Sequence, residues 1–200
     1  MLNSAITTLL EEHRSLKAIV YALRFVLSEA RSNATTANFK ALRAILHYID
    51  TYAEQRHHPK EERYLFARLR QRTHVADRVL DVLEAQHTRS ARRVDELRRR
   101  LEAFERGDTG SFAAFANAAE RFSDLMWQHM HQEESVVLPL ARMHLTGDDW
   151  TTIAEAFGEN GDPCLQADAD DAFAALLARI VQLAPPPIGN ARPARGLNRD

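Results

Sequence analysis

Hydrophobic residues recur every three or four positions through four long stretches of the chain, and short polar breaks separate the stretches. That spacing is the signature of an α-helix with one buried face. The first stretch runs from about Ser4 to Arg31, with Ile6, Leu9, His13, Leu16, Val20, Leu23 and Leu27 on its stripe. A break at Ser32 to Thr36 comes next, where Thr35 or Thr36 can cap the next helix. The second stretch continues to about Gln71 through Leu42, Ile45, Leu46, Ile49, Ala53, Leu65, Phe66 and Leu69. Pro59 lies inside it and predicts a kink or local bulge. Thr73 can cap the third, which carries Leu80, Leu83, His87, Ala91, Val94 and Leu101 to Arg106 and ends at Gly107-Asp108-Thr109-Gly110. The fourth, from Ser111 to about His144, shows Phe115, Phe122, Leu125, Met126, His129, Val136, Val137 and Leu140.

After Gly147, Asp148 is placed to cap a short helix holding Trp150, Ile153, Ala154 and Phe157. A turn from Gly158 to Pro163 leads to a last helix at about Leu165 to Leu183. The fold class expected is all-α: an up-down-up-down four-helix bundle with two shorter C-terminal helices. Its expected boundaries are 1–146 for the bundle, 147–184 for a helical extension and 185–200 for a flexible tail. The extension either packs on the outside of the bundle or mediates oligomerisation, a homodimer being one such outcome.

Composition narrows the picture. Hydrophobic residues make up 45% of 200 residues, enough for one well-buried domain. Of seven prolines, Pro185, Pro186, Pro187 and Pro193 fall in the tail, so the body of the chain is nearly free of helix breakers. A net charge of −2 gives no general electrostatic reason to expect nucleic acid or an anionic membrane as partner. One cysteine, Cys164, excludes an internal disulfide framework and suits a reducing compartment. Neither a basic-then-apolar leader nor a run of about 18 apolar residues is present, so a cytoplasmic location is expected.

The chemistry lies in the histidines that interrupt the apolar stripes. The second stretch reads His57-His58-Pro59-Lys60-Glu61-Glu62, and the fourth reads His129-Met130-His131-Gln132-Glu133-Glu134. Aligned, they pair His57 with His129 and Glu61 with Glu133. Each His-x3-Glu puts an imidazole and a carboxylate on one helix face, a turn apart. Glu12-His13 on the first stretch similarly resembles Gln86-His87 on the third, so the chain reads as two similar helical hairpins. Take break centres near residues 34, 72 and 108. His13 and His57 then lie 21 and 23 residues from the first, His57 and His87 each 15 from the second, and His87 and His129 each 21 from the third. At a rise of about 1.5 Å per residue, an antiparallel bundle brings all four to one internal level.

A lone histidine in an apolar stripe is usually a hydrogen-bonded core residue. Four at one height, beside two carboxylates, are a different matter, because their burial is costly unless a cation compensates. Imidazole and carboxylate without thiolate suit iron, manganese or zinc. Six ligands exceed one tetrahedral zinc site and suit two metals, with two histidines on each and Glu61 and Glu133 bridging.

The doublet His57-His58-x-x-Glu61-Glu62-x-x-Leu65-Phe66 and the closing His129-x3-Glu133-Glu134-x4-Pro139, with His13 and His87, resemble the haemerythrin-like (HHE cation-binding) family over about residues 4 to 144. The resemblance implies two iron ions per chain, oxo- or hydroxo-bridged, held by His13, His57, Glu61, His87, His129 and Glu133. It also implies a small diatomic or peroxide ligand: dioxygen, peroxide or nitric oxide. Oxygen-carrying members pair histidines on the third helix at i, i+4, whereas Leu83 and Ala91 flank His87 here. The count is more similar to the iron-cluster-repair branch and to bacterial members that handle peroxide or nitric oxide. The missing ligand should open one iron further and favour reactivity over oxygen carriage. In the second stretch, Leu65, Phe66 and Leu69 fit the frame of His58 and Glu62, whereas Leu46, Ile49 and Ala53 fit that of His57 and Glu61. The family pattern favours His57 and Glu61.

Among other residues, His47, His74, His131 and His144 read as surface or supporting groups, with His131 and Glu134 candidates for proton movement. Tyr52 and Tyr64 are candidates to donate a hydrogen bond to a metal-bound oxygen, against a simpler reading as helix-surface aromatics. The run Arg92, Arg93, Arg98, Arg99 and Arg100 reads as a solvated face. Three functions are expected to compete: a redox protein acting on peroxide or nitric oxide in stress, a binding, storage or sensing protein for oxygen or iron, and a metal-free helical module.

Overall fold

The computed structural model describes residues 2–32 and 37–158, and every element among them is helical. The expected last helix at Leu165 to Leu183, the tail, Cys164 and the capping candidates Thr35 and Thr36 lie outside the described residues. Helix α1 spans Leu2–Ser32. Helix α2 covers residues 39–72 and alternates α-helical parts (Phe39–Tyr48, His58–Lys60, Ala67–Arg72) with π-helical parts (Ile49–His57, Glu61–Phe66). Helix α3 is Asp77–Glu105. Helix α4, residues 111–144, contains a π-helical part at Glu133–Val137. Helix α5 is Gly147–Gly158.

Helix α1 packs against α2 and α4, and α3 packs against the same two, so the four long helices form a bundle. Its apolar side chains form two clusters. One contains Leu16 to Leu27 of α1, Ala41 to Ala53 of α2, Val94 to Phe104 of α3 and Phe115 to Met130 of α4. The other contains Ala5 to Leu9 of α1, Leu65 to Leu69 of α2, Leu80 and Leu83 of α3, and Val137 to Ala141 of α4. Along the sequence, α1 and α3 pass from the second cluster to the first, and α2 and α4 pass from the first to the second. Between the clusters each helix presents buried polar side chains: Glu12 and His13, His57, His58 and Glu61, His87 and Ser90, His129 and Glu133. The apolar stripes of the first two stretches are buried as predicted. In the other two the stripes differ in detail: Ala91 is exposed and Ser90 is buried in its place, while Leu125 and Val136 face solvent.

The helix ends show local chemistry that differs in part from the expectation. Asn38, rather than a threonine before it, caps α2, its Oδ1 accepting from the Ala41 amide at 3.0 Å. Thr73 accepts from the Val75 amide in the turn before α3 and closes the end of α2, while Ala76 stands at the start of α3. At the end of α3, Gly107 has φ +76°, and the amides of Gly107 and Asp108 donate to the carbonyls of Phe104 and Ala103. These are the two bonds of a left-handed glycine stop.

Thr146 and Asp149, rather than Asp148, open α5. The Asp149 carboxylate accepts from the Thr146 amide at 2.9 Å, and the Thr146 hydroxyl oxygen accepts from the Asp149 amide at 3.3 Å. Arg72 at the end of α2 donates to both Asp149 oxygens, at 2.8 and 3.1 Å. Trp150, Ile153 and Phe157 thereby join the cluster of Ile6, Leu9 and Phe66.

Hydrogen bonds from Arg72 hold the Asp149 carboxyl well below the usual carboxylate range. Its stabilising contribution is therefore complete above the unfolded carboxylate pKa of about 3.9 and is lost as pH falls toward the lower folded value. Asp149→Ala is expected to cost about 1–2 kcal/mol in urea unfolding at pH 7, with a smaller difference from wild type near pH 2. Equal midpoints at pH 7 would show that the cap and ion pair contribute nothing.

Candidate metal centre

A regular helix turns about 100° per residue, so neighbouring side chains such as His57 and His58 do not ordinarily face the same interior. The wide turns of α2 change that. The amides of His58 and Ala67 donate to the carbonyls of Ala53 and Glu62, each five residues back. Each such turn accommodates an extra residue and re-aims the side chains beyond it. Pro59, which has no amide hydrogen, lies between the two wide parts. Upstream, Leu46, Ile49 and Ala53 lead to His57; downstream, Leu65, Phe66 and Leu69 continue from the shifted frame. Both histidines are buried, as is Glu61, whereas the Glu62 side chain is 43% exposed. In α4 the wide part Glu133–Val137 stands directly before Leu138 and Pro139.

His13, His57, Glu61, His87, His129 and Glu133 meet in the buried layer. The two carboxylates divide their oxygens between two histidine groups. Glu61 Oε1 lies 3.5 Å from His13 Nε2 and 3.3 Å from His57 Nε2, while its Oε2 lies 3.6 Å from His87 Nε2. Glu133 Oε2 lies 3.3 Å from His13 Nε2, while its Oε1 lies 3.2 Å from His129 Nε2 and 3.9 Å from His87 Nε2. The Nε2 atoms of His87 and His129 are 3.0 Å apart. All four carboxylate oxygens, and the Nε2 atoms of His13, His57 and His58, are buried without a hydrogen-bond partner. Buried polar atoms in such numbers are not left unmatched in a stable core, and cations at the centre would match them.

The opposite side of each ring is held. His57 Nδ1 donates to Glu12 at 2.6 Å and His129 Nδ1 to Gln86 Oε1 at 2.7 Å. His13 Nδ1 donates to Glu134 at 2.9 Å and His87 Nδ1 to Glu62 at 2.8 Å. Because the partners accept, each Nδ1 carries a proton and each Nε2 faces inward, so that with a cation at the centre every Nε2 would offer its lone pair. The four contacts obey the repeat read from the sequence. Glu12 and Gln86 precede His13 and His87 and serve the other histidine of their own hairpin. Glu62 and Glu134 come after Glu61 and Glu133 and reach across to the opposite hairpin. Lys17 anchors Glu134 at 2.7 Å, and Lys60 approaches Glu12 at 3.2 Å.

The protein's own charges favour the ionised glutamate. Burial opposes ionisation of Glu133, but the nearby His129 and His13 outweigh it and hold its pKa well below the ordinary value. Burial would likewise lower His13, yet the carboxylates of Glu133, Glu134 and Glu61 raise it well above the ordinary value. A cation entering beside His13 must therefore expel a proton. Burial, reinforced by the charges of His87 and His129, keeps His58 neutral. Burial also pushes Glu54 up to about 7, although Ser90 donates a hydrogen bond to it at 2.6 Å.

The motif reading left aside Glu12 and Gln86 as ring partners and set His58 and Glu62 as the alternative frame to His57 and Glu61; the structure buries His58 beside His57 and brings Glu62 to His87. The apolar frame of Leu65 and Phe66 was the signal for His58. His47, His74 and His131 are exposed and His144 is half-buried, all apart from this layer. Tyr52, by contrast with the surface reading, is fully buried, its ring 6.5 Å from that of His57. Tyr64 is half-buried against the second cluster.

Helices that bury matched imidazole–carboxylate sets with inward lone pairs define a metal-binding helical protein. The Hemerythrin HHE cation binding domain matches residues 4–141, and the chain belongs to that family. No curated protein and no solved structure is significantly similar to it.

Glu12→Ala and Gln86→Ala remove the acceptors behind His57 and His129, and Glu12→Ala also removes the partner of Lys60. Each is expected to weaken metal retention about 10–100-fold with helical content unchanged, measured by chelator competition and far-ultraviolet circular dichroism. Retention equal to wild type would reject the orienting role.

Proposed function

We propose that the chain is a non-haem di-iron protein of up-down-up-down topology that binds or reacts with dioxygen, peroxide or nitric oxide in oxidative or nitrosative stress. The order in which the helices visit the two apolar clusters supports the topology. The split of each carboxylate between two histidine groups carries the metal assignment. His13 and His57 would hold one ion, His87 and His129 the other, and Glu61 and Glu133 would bridge them through opposite oxygens. When bound, the iron pair supplies redox chemistry and open positions for a small exogenous ligand.

The residues around it do the rest. Glu12, Gln86, Glu62 and Glu134 fix the imidazoles and hold the Nδ1 protons. The two apolar clusters exclude water above and below. None of the six side chains is more than 5% exposed, so only species of a few atoms fit this chemistry. A cavity of about 110 Å³, lined by His58, His87 and His129 with Gln86, Ser90 and Arg93, approaches the layer between α3 and α4. Glu134, 25% exposed and joined to Lys17, links His13 Nδ1 toward the surface. Among the described residues no helix is long and apolar enough to cross a membrane.

Protein loaded anaerobically with ferrous iron is expected to retain two irons per chain, and its near-ultraviolet and visible spectrum to change on adding peroxide, nitric oxide or dioxygen. His129→Ala and Glu133→Ala should each remove at least one iron and that response. A reversible oxygenated spectrum without peroxide turnover would favour carriage, storage or sensing over catalysis. Retention of fewer than two irons by the wild type would overturn the di-iron reading.

A further inference from the structure

The two hairpins match in sequence, yet among the described residues only the first carries a helix on its outer face. Helix α5 lies on α1 and on the Glu61–Phe66 part of α2, with the Phe157 ring 5.3 Å from the Lys60 ammonium. Trp150, Ile153 and Phe157 complete the apolar cluster there, and Tyr64 packs against it. The alignment that pairs His57 with His129 also pairs Lys60 with Gln132, Tyr64 with Val136 and Ala67 with Pro139. The alignment of His13 with His87 pairs Ala5 with Val79 and Thr8 with Val82. Val79, Val82, Gln132, Val136 and Pro139 line a groove of about 670 Å³ between α3 and α4. This groove is the counterpart of the face beneath α5. Val82 is 42% exposed and Val136 39%, and Pro139 is also exposed, whereas Thr8, Tyr64 and Ala67 are half-buried. A contiguous apolar strip in water marks a docking surface.

The chain continues past α5, and its sequence offers an occupant. Helix α5 follows Asp148-Asp149 with Trp150, Ile153, Ala154 and Phe157. After Asp170-Asp171, residues Phe173, Leu176, Leu177 and Ile180 repeat the same spacing of three, four and seven. Charge agrees with this occupant. Arg78 is the one charged side chain in the groove lining among the described residues, opposite in sign to Asp168, Asp170 and Asp171. Arg78 stands at the start of α3, the end of the bundle where Arg72 holds Asp149 at the start of α5. Length agrees too. The residues between Gly158 and Asp170 span up to about 40 Å when extended, and packed helices lie only about 8–10 Å apart.

We propose that residues 165–183 of the same chain dock as a second covering helix in the groove between α3 and α4, so that the pseudo-twofold relation extends to the outer helices. Phe173, Leu176, Leu177 and Ile180 face Val79, Val82 and Val136, and the acidic end of the segment lies toward Arg78. The proposal is independent of the metal reading.

Thiol labelling of the full-length chain in a Cys164→Ser background tests this. Val136→Cys places a probe in the groove, and Ser28→Cys is an exposed reference near the other end of the bundle. The groove thiol is expected to react at least tenfold more slowly than the reference, at every protein concentration, with a monomer mass in sedimentation. Phe173→Asp with Leu177→Asp should speed the groove thiol about tenfold and leave the reference unchanged. Leu177→Ala, the milder change, should speed it in the same direction and replaces the pair if the pair does not fold by circular dichroism. Equal rates at the two probes would show an open groove and overturn the proposal. Slow labelling that no change in the segment relieves would overturn it as well. Protection that grows with concentration alongside a dimer mass would assign the groove to a second copy instead.

Discussion

Seven side chains that water would otherwise hydrate face one another across the middle of an apolar bundle. Leaving a buried ion unpaired costs several kcal/mol, and here two carboxylates present four oxygens with no hydrogen bond to any of them. The helices cannot slide or rotate to relieve this, because every ring is fixed from behind by Glu12, Glu62, Gln86, Glu134 or Glu54. Cations at the centre would repay the desolvation and select the neutral imidazole and ionised carboxylate.

The wide turns are part of the same arrangement. A π turn gives up ideal helical geometry, and it persists where the surrounding structure needs the re-aimed side chains. In α2 two such parts flank Pro59, and in α4 one precedes Pro139. Proline lacks the amide that a regular turn would need, so the altered hydrogen bonding sits beside residues that already interrupt it. The lower part of α2 then continues in a frame that buries Leu65, Phe66 and Leu69, and neither half of the helix forfeits its apolar face.

Much of this was legible in the residues. Stripes of Leu, Ile and Val located the helices, and the equal distances of four histidines from the breaks placed them at one level. Glu61 and Glu133 emerged from the repeated His-x3-Glu. The conflict between the His57 and His58 frames was legible too, but as a choice between alternatives, because a periodicity argument assumes one helical repeat throughout. The backbone admits both by changing its repeat at the site. The ring-orienting role was hidden for another reason: Glu134 was singled out for proton movement and Glu62 as part of the alternative frame, and only the crossing of hairpins shows which histidine each reaches. Capping failed as a guide at Thr73 and Asp148, where neighbouring residues offered equally suitable side chains and tertiary contacts such as Arg72 with Asp149 decided the boundary.

Helix α5 lies beyond the segment that the family shares, yet it is continuous with the interior. Trp150, Ile153 and Phe157 fill the same cluster as Ile6, Leu9 and Phe66. The Phe157 ring also lies 5.3 Å from the ammonium of Lys60, which in turn approaches Glu12, the residue that steers His57. A cut at residue 146 would therefore pass through a shared core instead of a linker. Helix α5 serves as a keystone, and its seating is connected, through one lysine and one glutamate, to the aim of a ring in the central layer.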